Sequence, residues 1–217
     1  MSKILISGYY GFANAGDEAM LTAIIESLRQ VEKNVELTVL SGNPEDTAAK
    51  HQVCSVYRFN PLGIIRAMKD SELIISGGGS LLQDVTSKRS LLYYLSIIGL
   101  GKFFGKKVML FAQGIGPIRA KWARKLTSLV CNEADLITVR DSESAAELIE
   151  MGVKPEKITV TADSVLSLNP VTKECGQYLL QEAGVDLTKP VIGISVRPWS
   201  VSYTPLRAHE TPEHLVC

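Results

Sequence analysis

The 217-residue chain has no excess of either charge: lysine and arginine together number 23, and so do aspartate and glutamate. A balanced chain offers no bulk electrostatic attraction to nucleic acid or to an acidic surface. Cysteine is sparse, and Cys54, Cys131, Cys175 and Cys217 form no CxxC pair. That excludes a zinc ribbon and a dithiol redox motif; the four read as reduced, structural thiols of a cytosolic protein. Only three histidines occur. His209 and His214 are one residue too far apart for the HExxH zinc motif, and Pro212 between them would break the helix it needs. His51 reads as a solvated surface residue. No apolar run reaches the roughly 20 residues of a membrane span. The longest, Leu91–Phe104, reads as a buried helix ending near Lys102, Lys106 and Lys107, with contact at a membrane surface as the alternative. Ile4-Leu5-Ile6 is too short for a signal-peptide core and ends in glycine, as a first strand would.

What remains is an alternation of short apolar runs and helical segments. Strands are predicted at Lys3–Ser7, Glu36–Ser41, Val53–Tyr57, Leu73–Ser76, Lys107–Ala112, Leu136–Arg140, Ile158–Thr161 and Val191–Val196. Most are continuously apolar, the pattern of strands covered on both faces of a parallel sheet. Between them, Asp17–Val31 places Met20, Ala23, Ile24, Leu28 and Val31 on one helical face. Asn60-Pro61 opens another helix, Asp141 caps Ser142–Met151, and Lys173–Ala183 stops at Gly184. The reading is a Rossmann-like α/β lobe over 1–188, a parallel sheet with flanking helices. Residues 189–199 follow as the first strand of a further lobe, and 200–217 as an irregular tail without periodicity.

Three glycine-rich junctions follow strand-like runs, and together they suggest one crevice. The first, Gly8 to Asp17, carries Gly8, Gly11 and Gly16 with Asn14 and Asp17 at a helix start; Asp17 is a ligand group or a plain helix cap. It fits neither GxGxxG nor a P-loop. The second, Gly77-Gly78-Gly79-Ser80 with Gln83 and Asp84, reads as a strand, a glycine turn and then a helix. Its N–H groups could form an anion nest, or the turn could be purely structural. Leu82 excludes a GxSxG elbow around Ser80. The third is Gln113-Gly114-Ile115-Gly116 at a strand's carboxyl end, where open α/β sheets bind ligands. Arg140 and Arg197 end strands on that same edge and could grip a phosphate or carboxylate; the alternative for Arg140 is a salt bridge to Asp141 or Asp163. Asp163 is either a ligand group or a cap.

In that order, Gly8-Tyr9-Tyr10-Gly11-Phe12-Ala13-Asn14-Ala15-Gly16-Asp17-Glu18, Ile75 to Asp84, Phe111 to Pro117 and Thr138-Val139-Arg140-Asp141 resemble the polysaccharide pyruvyl transferase family. The likeness runs from about Lys3 to Trp199 and is strongest to cell-wall enzymes tied to S-layer anchoring. It implies the N-terminal lobe of a GT-B-like two-lobe enzyme. It implies transfer of pyruvate from phosphoenolpyruvate, as donor substrate and without a cofactor, onto N-acetylmannosamine of a lipid-linked cell wall glycan as a ketal. Action in the cytoplasm, at the inner face of the membrane, follows from such an acceptor. By the resemblance, Asp17 serves acceptor contact or acid/base work and Arg140, with Arg197, the donor, while Gly77–Ser80 and Gln113 line the cleft. A second lobe would supply much of the donor site. With 200–217 unlike that lobe, the expectation is a truncated or frameshifted chain with little activity alone. The competing readings are a nucleotide-sugar glycosyltransferase and a non-catalytic anion-binding module.

Overall fold

The first strand, β1 (Lys3–Tyr10), shows why the core divides as it does. Ile4 and Ile6 pack into one apolar cluster and Leu5 into another, because successive side chains leave opposite faces of a strand. The structure, a computed structural model, describes residues 2–85 and 87–194. It divides into two compact units, Met1–Asn169 and Pro170–Cys217, so the lobe expected over 1–188 spans the first and the start of the second.

The first unit holds a parallel sheet of β1, β2 (Glu36–Ser41), β3 (Cys54–Tyr57), β4 (Leu73–Ser76), β5 (Gly79–Leu82), β6 (Lys107–Ile115), β7 (Leu136–Val139) and β8 (Ile158–Val160). The order is β3-β2-β1-β4-β6-β7-β8, with β5 paired to β6. All pairings are parallel, as the continuous apolar runs required. On one face α1 (Ala15–Val31) buries Met20, Leu21, Ala23, Ile24 and Ile25 against Ile6, Val39 and Ile75. Val31, assigned to that face by its spacing, is the last helical residue and stands 89% exposed. After α2 (Pro44–His51) and α3 (Pro61–Asp70), the expected apolar helix forms as α4 (Lys88–Phe103). It buries Leu91, Tyr94, Leu95, Ile97 and Ile98 in the opposite cluster, to which α5 (Lys121–Glu133) and α6 (Ser142–Glu150) contribute Ala123 and Leu148. Asn60 and Asp141 cap α3 and α6 as anticipated.

Two strands outrun their predicted ends and one was unforeseen. Extended backbone continues through Gly8 to Tyr10, which pairs with Ser41 after a register shift. On β6, β4 pairs only with Lys107–Leu110, leaving the upper half of that strand open on that side. The glycine run fills the gap: after Gly77 and Gly78 the chain enters β5, with Gly79 opposite Gln113 and Leu82 opposite Ile115. The predicted glycine turn into a helix is therefore a jog between two strands, and the helix begins later, at Lys88. In β6, Ala112 takes a positive φ of 47° where the register against β7 shifts, and its N–H donates to Thr138 Oγ1 at 2.7 Å.

The second unit carries α7 (Lys173–Glu182), capped by Thr172 and followed by Gly184 at φ 81°. Residues 191–194 form no strand, and Val191, Ile192 and Ile194 are exposed, since an apolar run alone does not make a strand without a neighbour to pair with. Arg197 and the 200–217 tail lie outside the described residues. Cys54, Cys131 and Cys175 are free thiols, Cys131 fully buried.

Candidate functional site

Because every strand is parallel, the segments that leave them share one edge. The strand order reverses between β1 and β4, and the carboxyl edge at such a switch point is where open α/β sheets bind ligands. The segment after β1 turns through Gly11 (φ 77°) and Ala13 (φ 55°). A Cβ at Gly11 would stand 2.1 Å from Ser41 Oγ, so only glycine fits. Glu18 Oε1 accepts the Gly11 N–H at 2.8 Å. Its other oxygen is 3.8 Å from His51, whose side chain is largely buried rather than solvated as predicted; burial lowers the imidazole pKa.

Asn14, not Asp17, is the cap of α1, and its Oδ1 accepts from Gly16 and Asp17 N–H at 3.1 and 3.4 Å. The Asp17 carboxylate instead reaches across the switch point to Gly79, where a Cβ would meet Asp17 Oδ1 at 3.2 Å. Its charge raises the phenol pKa values of Tyr10 and Tyr94, adding to burial, the main cause for both.

The expected nest of free N–H groups is not formed at Gly77, whose N–H donates to Ser7 O at 2.7 Å. A Cβ at Gly77 would lie 2.1 Å from Tyr10 Oη, one at Gly8 within 2.6 Å of the same hydroxyl, and one at Gly78 3.1 Å from Met20 Sδ. These glycines clear space for the protein's own side chains. Gln113 likewise does not line the cleft. It is fully buried, and its Nε2 donates to Ser76 O at 3.2 Å and to Gly77 O, strutting the glycine run from beneath. Gly116 backs onto Gln83, where a Cβ would come within 2.6 Å. Asp84 accepts from the N–H groups of Arg119 and Ala120 at 2.9–3.0 Å ahead of α5, which lowers its pKa. Gln83, Asp84 and Gly116 thus build the junction between β5, β6 and α5.

Arg140, Ser80, Asp141, Asp163 and Gly114 do come together. The Arg140 guanidinium lies 3.4 Å from Asp141 Oδ2, 3.2 Å from Asp163 Oδ2 and 3.2 Å from Ser80 Oγ. Both salt bridges anticipated as alternatives to ligand binding are made. Each carboxylate is also a cap: Asp141 for α6, Asp163 for the 3-10 turn Ser164–Ser167. Bonds from Ser144 lower the Asp141 pKa. Gly114 supplies the bed, since a Cβ there would stand 2.7 Å from the guanidinium. Four strands so deliver one partly exposed cation to the carboxyl edge.

The family model of polysaccharide pyruvyl transferase matches residues 14–201. The chain belongs to this family. No curated protein matches it. Among solved structures, Anabaena HepE (Alr3699) in complex with UDP-glucose is similar at TM-score 0.56 and 14% identity, over 85% of this chain and 50% of its own. A glycosyltransferase from Rickettsia africae is similar at TM-score 0.51 and 12% identity, over 87% and 51%. These likenesses show a Rossmann-like lobe of GT-B type, and the chain spans about half the length of each.

In this pyruvyl transferase family chain, one cluster at the edge was missed by sequence reasoning. Arg58, just after β3, is 5% exposed, and its guanidinium carbon lies 4.4–5.8 Å from the ring centroids of Tyr9, Phe12, Phe59, Tyr93 and Tyr94. Nη2 reaches Tyr94 Oη at 3.4 Å. Burial pushes the Tyr93 phenol up to about 12. The only signal was aromatic crowding just after strand ends in a chain with 6% aromatics. Among the described residues, no group of His, Cys, Asp and Glu is placed to hold a metal, and no helix is long and apolar enough to cross a membrane.

Proposed function

We propose that this lobe forms half of the active cleft of an enzyme that moves pyruvate from phosphoenolpyruvate onto a sugar of a cell wall polysaccharide. The observation that supports it most is the placement of Asp17 and Arg140, both in segments that resemble the family's motifs, on one sheet edge around the switch point. Within the family the reading is the CsaB-type reaction: the acceptor is N-acetylmannosamine of a lipid-linked glycan at the inner membrane face, serving S-layer anchoring.

The chemistry is acid–base throughout and calls for no redox group. The enol carbon of phosphoenolpyruvate takes up a proton, which makes C2 electrophilic. One sugar hydroxyl adds to C2 and gives up its proton, phosphate departs, and a second hydroxyl of the same sugar closes the ketal with loss of its own proton. Asp17 receives the hydroxyl proton. Arg140 balances the donor's charge: a guanidinium has five N–H donors, and three contacts leave two for a phosphate or carboxylate oxygen. Ser80 and Asp163 hold that guanidinium in place.

The matched structures continue for about as long again, and turnover is assigned to this lobe together with a facing one. Calorimetry with phosphoenolpyruvate and with UDP-glucose tests the reading. Binding of phosphoenolpyruvate that weakens at least tenfold in Arg140→Met is the predicted result. Binding of UDP-glucose alone would favour a nucleotide-sugar glycosyltransferase.

A further inference from the structure

We infer that the aromatic cluster assembled on Arg58 is the stacking subsite for the acceptor sugar ring, with Tyr9 and Phe12 as its face. This rests on the reading above that the acceptor is a glycan. Three observations carry it. First, Tyr9, Phe12, Tyr57 and Phe59 are 40–61% exposed and gather at the ligand-binding edge. Rings that serve only a core are covered, and a contiguous exposed aromatic patch marks a contact surface. Tyr9 and Phe12 stack with centroids 4.4 Å apart and planes 13° apart, and Phe12 lies against Gly42, so Phe12 backs Tyr9, whose outer face is of the kind the C–H face of a pyranose lies against.

Second, Arg58 is buried at the centre of these rings, with Tyr94 Oη 3.4 Å from its Nη2. The cation holds residues from three separate segments in one array through their π faces. Arg58 is a positioning residue for the platform.

Third, Tyr9 at the end of β1 and Phe12 in the turn that follows lie on the segment leading into α1, whose first turn carries Asp17, so the rings and the proposed base belong to one sheet edge. A neutral polyol is favoured over an anion because the cation lies beneath the rings rather than at the surface.

The test is saturation-transfer NMR on the full chain with N-acetylmannosamine, with folding of each variant checked by thermal melting. Saturation should pass to the sugar ring protons. Tyr9→Ala and Phe12→Ala should each weaken binding about tenfold and together abolish it, Phe12→Tyr should restore it, and Arg58→Met should weaken it while the fold is kept. Phe103→Ala, an exposed ring at the opposite edge before β6, should change nothing. Binding that survives Tyr9→Ala with Phe12→Ala, no binding at all, or displacement of the sugar from the rings by UDP overturns the inference. If the sugar binds these rings but the two-lobed enzyme releases no phosphate from phosphoenolpyruvate, the subsite stands and the pyruvyl-transfer reading falls. If phosphate is released and the sugar KM ignores both ring substitutions, the subsite falls and the pyruvyl-transfer reading stands.

Discussion

Arg140 lies directly on Gly114: any side chain at 114 would begin 2.7 Å from its Cζ, Nε and Nη2 atoms. The glycine is there for the guanidinium, not for a turn, because its φ is not in the left-handed range. Gly114→Ala should therefore leave the backbone and the melting temperature nearly unchanged while displacing Arg140 by about an ångström. A displacement of that size in a positioning group costs on the order of 10²-fold in turnover. Phosphate-release kinetics of the two-lobed enzyme, beside a thermal melt, checks it.

Gly77 and Tyr10 form a second tight pair. A Cβ at 77 would stand 2.1 Å from Tyr10 Oη, so Gly77→Ala should cost about 1–3 kcal/mol in urea unfolding. Tyr10→Phe removes the obstructing oxygen, which has no partner among the described residues, so that change alone is near neutral or stabilising. The double variant should recover at least about 1 kcal/mol of the Gly77→Ala cost.

Much of the sheet was legible because burial on both faces writes continuous apolar runs such as Leu73-Ile74-Ile75, and because Asn60 and Asp141 announce their helices. β5 was not legible, since its reason to exist is the open upper half of β6, a tertiary vacancy with no local mark. Gln113 misled for a related reason. A polar residue at a strand's carboxyl end can face the cleft or the core, and here it is fully buried just after the Ala112 bulge. Arg58 could not be recognised from its own neighbours, because the rings that hold it come from residues 9–12, 57–59 and 93–94. Asp17 and Arg140 were found because glycine density and strand-end position are local signals.

At the opposite edge, Asp135 accepts from Lys102 Nζ, Lys107 Nζ and the Val108 N–H. Partial burial raises its pKa, but these bonds outweigh that and bring it down to about 2. A carboxylate depressed in the folded state stabilises above its unfolded pKa, near 4, and that stability is lost as pH falls from about 4 through 2. Asp135→Asn should cost about 2 kcal/mol at pH 7 and almost nothing at pH 2, read from urea unfolding at the two pH values.

The central claim is a pyruvyl-transfer cleft with Asp17 and Arg140 on its wall. Its most direct test is phosphate release from phosphoenolpyruvate, with an N-acetylmannosamine acceptor, by the enzyme in which this lobe meets its facing lobe. Acceptor-dependent release that falls at least about 10²-fold in both Asp17→Asn and Arg140→Met is the predicted result. No release, or release that survives both substitutions, would contradict it.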